Sequence, residues 1–101
     1  MNDAALSERM KTVAVTALGA DRVSPAIPIM GSEDVGFFTT EGKIPLSMFW
    51  LGVADPQKLA ESQRTGKALP NIHSALFAPV YEPAIRTGVI AMSSMAFSLL
   101  Q

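Results

Sequence analysis

The sequence predicts an α/β fold in which two long helices, near residues 3–18 and 83–100, pack on a small sheet that contains residues 44–53. Apolar residues recur at helical spacing at both ends of the chain, and an almost unbroken apolar run lies between them. Apolar residues make up 49% of the 101 residues and charged residues 17%, whereas an ordinary soluble domain has about 25% charged residues. A chain this small cannot cover so much apolar surface by itself, so we expect a partner or a larger protein to cover part of it.

The first helix is predicted from its amphipathic pattern. One face carries apolar residues at helical spacing, namely Leu6, Met10, Val13 and Ala17. Asn2 or Asp3 can cap the start of this helix. Gly19 stands where a helix needs a residue with a left-handed backbone to end it.

The next stretch combines an extended segment with a helix start. Two prolines in residues 22–28 favour an edge strand or a polyproline segment over a central strand. Gly31 and Ser32, followed by two acidic residues, are typical of a helix N-terminus with Ser32 as its cap. The residues are explained by a short capped helix that buries Phe37 or Phe38.

The middle of the chain predicts one strand and one long connection. Residues 44–53 are almost continuously apolar, which is typical of a strand covered on both faces, and Pro45 is tolerated near its start. Residues 55–72 are polar and contain several helix breakers, so we expect a long connection with one helical turn around residues 56–62.

The last helix is predicted to begin near Pro83 and to be apolar on most sides. One stripe contains Ile85, Val89, Met92, Ala96 and Leu99, and a neighbouring face contains Ile90, Phe97 and Leu100. The 14 residues from Thr87 to Leu100 are too few to span a bilayer. We therefore expect no membrane partner, and a helix that is buried against a sheet or another chain.

Charge and cysteine content narrow the class of protein. A net charge of -1 leaves no basic surface for nucleic acid. The chain has no cysteine and a polar, acidic start, which predicts a cytoplasmic protein without disulfides or a secretory signal.

His73 is the only histidine, and it follows Leu69 and Pro70 in a predicted loop. Imidazole is the commonest protein ligand for transition metals. A single loop histidine is nevertheless more often a solvated or hydrogen-bonded residue than a ligand. The residues alone leave both interpretations open.

Several short motifs occur in an order that resembles a known family. Residues 30–34 read Met-Gly-Ser-Glu-Asp, residues 49–52 read Phe-Trp-Leu-Gly, and His73-Ser74 is followed by Phe77. This order resembles the C-terminal segment of the di-metal amidohydrolases related to hippurate hydrolase, aminoacylase and the auxin-conjugate hydrolases. Val35 departs from the aromatic residue usual after the first motif. Residues 2–6 resemble the start of the helix by which that family's chain returns from its lid domain, so the match covers nearly the whole chain.

The resemblance implies a fold, a reaction and three site residues. Residues 1–101 would be the C-terminal part of a zinc-peptidase-like catalytic domain, with its N-terminal part and its lid domain absent. The family hydrolyses the amide bond of N-acyl amino acids or small peptides with a metal-activated water. His73 would be a ligand to zinc, manganese or cobalt, while Gly31 and Ser32 would bind substrate at a helix N-terminus.

The same resemblance implies an incomplete site. The other metal ligands and the general-base glutamate would lie outside this chain, and a catalytic zinc needs about three protein ligands. Glu33 and Asp34 are expected to support the site from behind its ligands or to be structural, and not to be catalytic, because two carboxylates would repel an anionic substrate. We therefore expect no catalytic residue in this chain, no tightly held metal, no activity of the fragment alone, and either self-association or a complementary chain.

A second interpretation is a non-enzymatic helix–strand module that associates through its apolar helix, with His73 incidental. A reading frame upstream that encodes a His-x-Asp motif and a Glu-Glu pair would favour the enzyme. Self-association without metal dependence would favour the module.

Overall fold

The computed structural model describes residues 1–31, 33–39 and 43–101. Its α-helices are α1 (Ala4–Leu18), α2 (Pro56–Thr65) and α3 (Tyr81–Leu100), and two 3₁₀ segments cover Ala20–Arg22 and Asp34–Thr39. More than half of these residues are helical, and none of them forms a strand. The predicted α/β fold with helices on a small sheet is therefore wrong, while both long helices are confirmed.

Helix α1 begins and ends at the residues that its sequence indicates. The Asp3 carboxylate accepts a hydrogen bond from the Leu6 N–H at 2.8 Å, which satisfies a donor that the helix leaves free. At the other end Gly19 has a φ of 100°, and its N–H donates to the Val15 carbonyl. A side chain at Gly19 would be strained, because L-residues rarely adopt this φ and an added Cβ would lie 2.8 Å from an Asp21 carboxylate oxygen.

Helix α2 is longer than the single turn that the sequence predicted. The Asp55 carboxylate accepts hydrogen bonds from the Gln57 and Lys58 N–H groups, and Pro56 occupies the first helical position. Gly66 ends the helix in the left-handed conformation, with φ 71° and ψ 3°. The Asp-Pro start and the Gly end, read together, would have predicted ten residues of helix.

Residues 44–53 contain no strand. An apolar run specifies hydrophobicity, but a strand also needs a neighbouring strand to satisfy its N–H and C=O groups, and none exists among the described residues. Instead the Leu46 carbonyl accepts from the Asp3 N–H at 2.7 Å. The Asn2 side-chain amide pairs with the Met48 N–H at 3.0 Å and with its carbonyl at 2.8 Å.

The segment after Gly31 also differs from its prediction. It forms the six-residue 3₁₀ helix Asp34–Thr39, in which Phe37 is 83% exposed and Phe38 is 76% exposed. The predicted burial of one of these rings is therefore wrong, since both rings lie mostly in solvent. Ser32, the predicted cap, lies outside the described residues.

The chain forms two compact units, one of residues Met1–Trp50 with Val89–Gln101 and one of residues Leu51–Gly88. The first unit has a small core in which Met10 and Ala14 of α1 meet Ala91 and Met95 of α3. Partly buried apolar residues surround this core, namely Leu6, Val13, Leu18 and Val23. Leu6, Met10 and Val13 are thus confirmed as the packed face of α1, whereas Ala17 is exposed and Ala14 takes its place.

Most large apolar side chains lie at the surface. Among the described residues, the buried apolar side chains are three alanines and two methionines, namely Met10, Ala14, Ala84, Ala91 and Met95. The accessible surface is 8573 Å², whereas a folded monomer of this mass exposes about 5,500 Å². Helix α3 is therefore not buried on most sides as predicted.

Candidate functional site

His73 lies in a tight pair of turns between Asn71 and Phe77. The Asn71 side-chain carbonyl accepts from the His73 N–H at 2.8 Å, and the Asn71 backbone carbonyl accepts from the Ser74 N–H at 3.0 Å. Ser74 continues the pattern, since its hydroxyl accepts from the Leu76 N–H and its carbonyl accepts from the Phe77 N–H. Polar side chains that bond the backbone two residues on are typical of such turns. The backbone at His73 is therefore fixed while its side chain is exposed.

A groove lies beside this turn within the same unit. Its walls come from residues 53–55 and Lys58, from Leu69 and Pro70, and from residues 76–78. The Asp55 carboxylate in this groove already caps α2. His73 does not line the groove, so the groove brings no acidic residue to the imidazole.

The potential metal ligands of the described residues are dispersed. A catalytic zinc site uses about three protein ligands, and residues 1–31, 33–39 and 43–101 contain no group of three or more His, Cys, Asp or Glu that could hold a metal ion. His73 can supply one imidazole ligand, and a single ligand holds a divalent ion weakly. The role of His73 as a metal ligand stays a prediction.

Gly31, the described member of the predicted substrate-binding pair, lies in the first unit and His73 lies in the second. Gly31 is exposed and precedes the 3₁₀ helix Asp34–Thr39. A 3₁₀ helix of six residues aligns few peptide dipoles, so it offers less attraction for an anion than a long α-helix would. The substrate-binding role of Gly31 and Ser32 also stays a prediction.

Asn2 is a positioning residue that the sequence analysis treated only as a possible cap. Its amide has the same donor and acceptor as a peptide group, so it bonds both backbone groups of Met48. Ser7 adds a hydroxyl contact of 3.1 Å to Ser47. These contacts hold residues 46–48 against the start of α1. Asn2 and residues 48–50 form one wall of an apolar groove, and residues 26–29 form the other. No sequence pattern indicates a pairing across 46 residues.

The ion pairs of the described helices are local. Lys11 pairs with Glu8 at 3.2 Å, Arg64 with Glu61 at 3.6 Å, and Arg86 with Glu82 at 3.6 Å. Each joins neighbouring exposed positions on one helix, and such pairs contribute about 0.3–0.5 kcal/mol. They stabilise helices and do not mark a binding site.

Helix α3 is long and apolar enough to cross a membrane, by length and composition only. It has 20 residues and a mean hydropathy of 1.3. The helix begins at Tyr81, and its first turns contain Glu82 and Arg86, which precede the 14 uncharged residues from Thr87 to Leu100. The core helix of a soluble protein meets the same criteria, and the absence of a membrane partner stays a prediction.

No protein-family model matches the sequence, and no solved structure matches the fold.

Proposed function

We propose that this chain is part of a metal-dependent amidohydrolase that cleaves the amide bond of N-acyl amino acids or small peptides. The observation that carries the proposal is the order of four segments along one chain, at residues 2–6, 30–34, 49–52 and 73–77. The resemblance to the hippurate hydrolase and aminoacylase family rests on this order.

The local geometry of His73 supports the role of a metal ligand. A ligand needs a defined backbone position and an accessible imidazole nitrogen. The turns fixed by Asn71 and Ser74 supply the first, and the exposure of the side chain supplies the second. No other histidine or cysteine competes for the metal within the sequence.

The proposal includes an incomplete centre. The described residues offer one imidazole ligand, His73, and contain no group of three potential ligands. A two-metal centre needs several protein ligands for each metal ion. We propose that a complementary part of the enzyme provides the others, and that the chain alone is inactive. The exposed apolar residues of the first unit, among them Ile29, Phe49 and Trp50, fit a surface that such a part would cover.

A chimeric enzyme tests this function. Residues 1–101 replace the C-terminal segment of the catalytic domain in a hippurate hydrolase, and hydrolysis of N-benzoylglycine is measured with added manganese or zinc. We expect activity in the chimera and none in the isolated chain. His73→Ala should reduce the activity of the chimera at least about a hundred-fold, because a metal ligand is lost.

Leu76→Ala is the matched control, because Leu76 is 76% exposed in the same turns and should be dispensable. Metal content measured on each purified chimera separates loss of the ion from loss of folding. A folded chimera without activity, or an active one that tolerates His73→Ala, would refute the proposal.

A further inference from the structure

A face of α3 that neighbours the face packed on α1 carries an unbroken apolar stripe, defined as Val89, Met92, Ala96 and Leu99. All four are exposed, with Val89 at 58%, Met92 at 59% and Leu99 at 52%. Ala91 and Met95 lie on the neighbouring face and are buried in the core with α1. One helix therefore has two apolar faces, of which α1 covers one.

The spacing of the stripe indicates what kind of surface covers it. Its members follow one another by three, four and three residues, and Ile85 continues the same repeat four residues earlier. A repeat that averages 3.5 residues is the pattern that packs one α-helix along another. A lipid surface makes no such demand on register, and α3 carries Ser93, Ser94 and Ser98 within its apolar half.

We propose that the stripe is a dimer interface that pairs α3 of two copies of this chain in antiparallel orientation. Met92 of one copy lies level with Ala96 of the other, and Val89 lies level with Leu99. The two-fold axis passes between these layers, so each contact occurs twice. The inference does not rest on the proposed enzymatic function.

Side-chain volume favours this register. Met92, a long flexible side chain, faces Ala96, the smallest of the four, so that the helices can approach closely. Moving the partner by one heptad would instead place Leu99 level with Glu82, an apolar side chain against a carboxylate. The parallel alternative would place Met92 against Met92 and Ala96 against Ala96, which leaves one layer crowded and another empty.

Charge favours the same orientation. In the antiparallel register Arg86 of one copy reaches the C-terminal end of the partner's α3, which carries the negative end of the helix dipole. Arg9 already donates to the Ser98 hydroxyl and carbonyl at that end of its own chain. The carbonyls of Leu99 and Leu100 have no other partner among the described residues, so they are free to accept from Arg86. A parallel pair would bring Arg86 against Arg86.

The area of the stripe predicts a weak dimer. Four half-exposed side chains and their flanks offer on the order of 400 Å² per copy, whereas stable interfaces bury about 800 Å² per partner. The chain has surplus surface for such contacts, since it exposes 8573 Å². We therefore expect association that rises with concentration in the micromolar range.

Disulfide trapping of the full chain tests the orientation, and the absence of native cysteine makes single-cysteine variants unambiguous. In the proposed register two copies of Val89→Cys hold their thiols about 15 Å apart, too far for a disulfide. Val89→Cys mixed with Leu99→Cys brings the thiols together. We expect the mixture to cross-link at least about ten-fold faster than Val89→Cys alone, since a disulfide needs Cα atoms within about 7 Å.

Two substitutions, each added to both cysteine variants, test whether the stripe causes the fast cross-linking. Met92→Lys should abolish the fast cross-linking, whereas Phe97→Lys should leave it unchanged, because Phe97 is 68% exposed on a different face of α3. Circular dichroism of both variants checks that they keep their helices.

The alternatives give distinct results. Equal cross-linking rates for Val89→Cys alone and for its mixture with Leu99→Cys would overturn the antiparallel pairing. The absence of cross-linking in both samples would overturn it as well. Sedimentation with phosphatidylcholine vesicles, at concentrations where cross-linking is slow in every sample, would assign the stripe to a lipid surface and overturn the dimer.

Discussion

Met95 tests whether the contact between α1 and α3 stabilises the first unit. Its side chain is 8% exposed and belongs to the cluster with Met10, Ala14 and Ala91. Met92 lies on the same helix, has the same side chain and is 59% exposed. Met95→Ala and Met92→Ala therefore remove identical atoms from a buried and from an exposed position.

The exposed fractions set the expected difference. Burial of a whole methionine side chain contributes about 1.5–3 kcal/mol, and the cavity left by its removal raises the cost of Met95→Ala to about 2–4 kcal/mol. Met92→Ala should cost less than about 1 kcal/mol, because water already covers more than half of that side chain. A core of four residues has few contacts to replace the lost ones.

Urea denaturation followed by far-ultraviolet circular dichroism measures both values, at low protein concentration so that association makes no contribution. Met95→Ala should shift the midpoint strongly, or leave the helices of the first unit unfolded at the outset. Equal shifts for the two variants would refute the assignment of the core to the contact between α1 and α3.

Two helix ends give further predictions. Gly19→Ala should lower the free energy of unfolding by about 1–2 kcal/mol, because Gly19 has a positive φ and an added Cβ would lie close to an Asp21 oxygen. Gly52→Ala is the control and should be nearly neutral, because no atom lies within 4 Å of the added carbon. Thermal melts that show equal losses for the two variants would contradict this prediction. Asp55→Ala should cost about 1 kcal/mol through the loss of the α2 cap, and Asp55→Asn should retain most of it. Hydrogen exchange of the α2 amides measures the effect, and unchanged exchange in Asp55→Ala would show that the cap is dispensable.

The sequence by itself determined the helices. The periodic apolar residues of α1 and α3 indicated their positions, and Asp3 and Gly19 indicated the ends of α1. Helix α3 begins two residues before Pro83, where its start was predicted. These signals are local, because a helix satisfies its own backbone and depends on neighbours four residues away. Asp55 and Gly66 indicate the ends of α2 equally locally, although only one helical turn was predicted there.

The sequence also supplied the candidate site residues, but it could not supply their surroundings. His73 was identified as the one imidazole, and the turn that holds it follows from Asn71 and Ser74, which lie within a few residues. Whether other ligands approach the imidazole depends on residues far away in the chain. Among the described residues, His73 belongs to no group of three or more potential metal ligands.

Only the tertiary structure decided the state of residues 44–53 and of the two faces of α3. The apolar run predicted a strand, but a strand exists only where another strand completes its hydrogen bonds, and here Asn2 and Asp3 bond this segment instead. Likewise, the sequence of α3 did not indicate which of its apolar residues are buried. Packing on α1 buried Ala91 and Met95 and left Val89 and Met92 in water, because one neighbouring helix covers one face only.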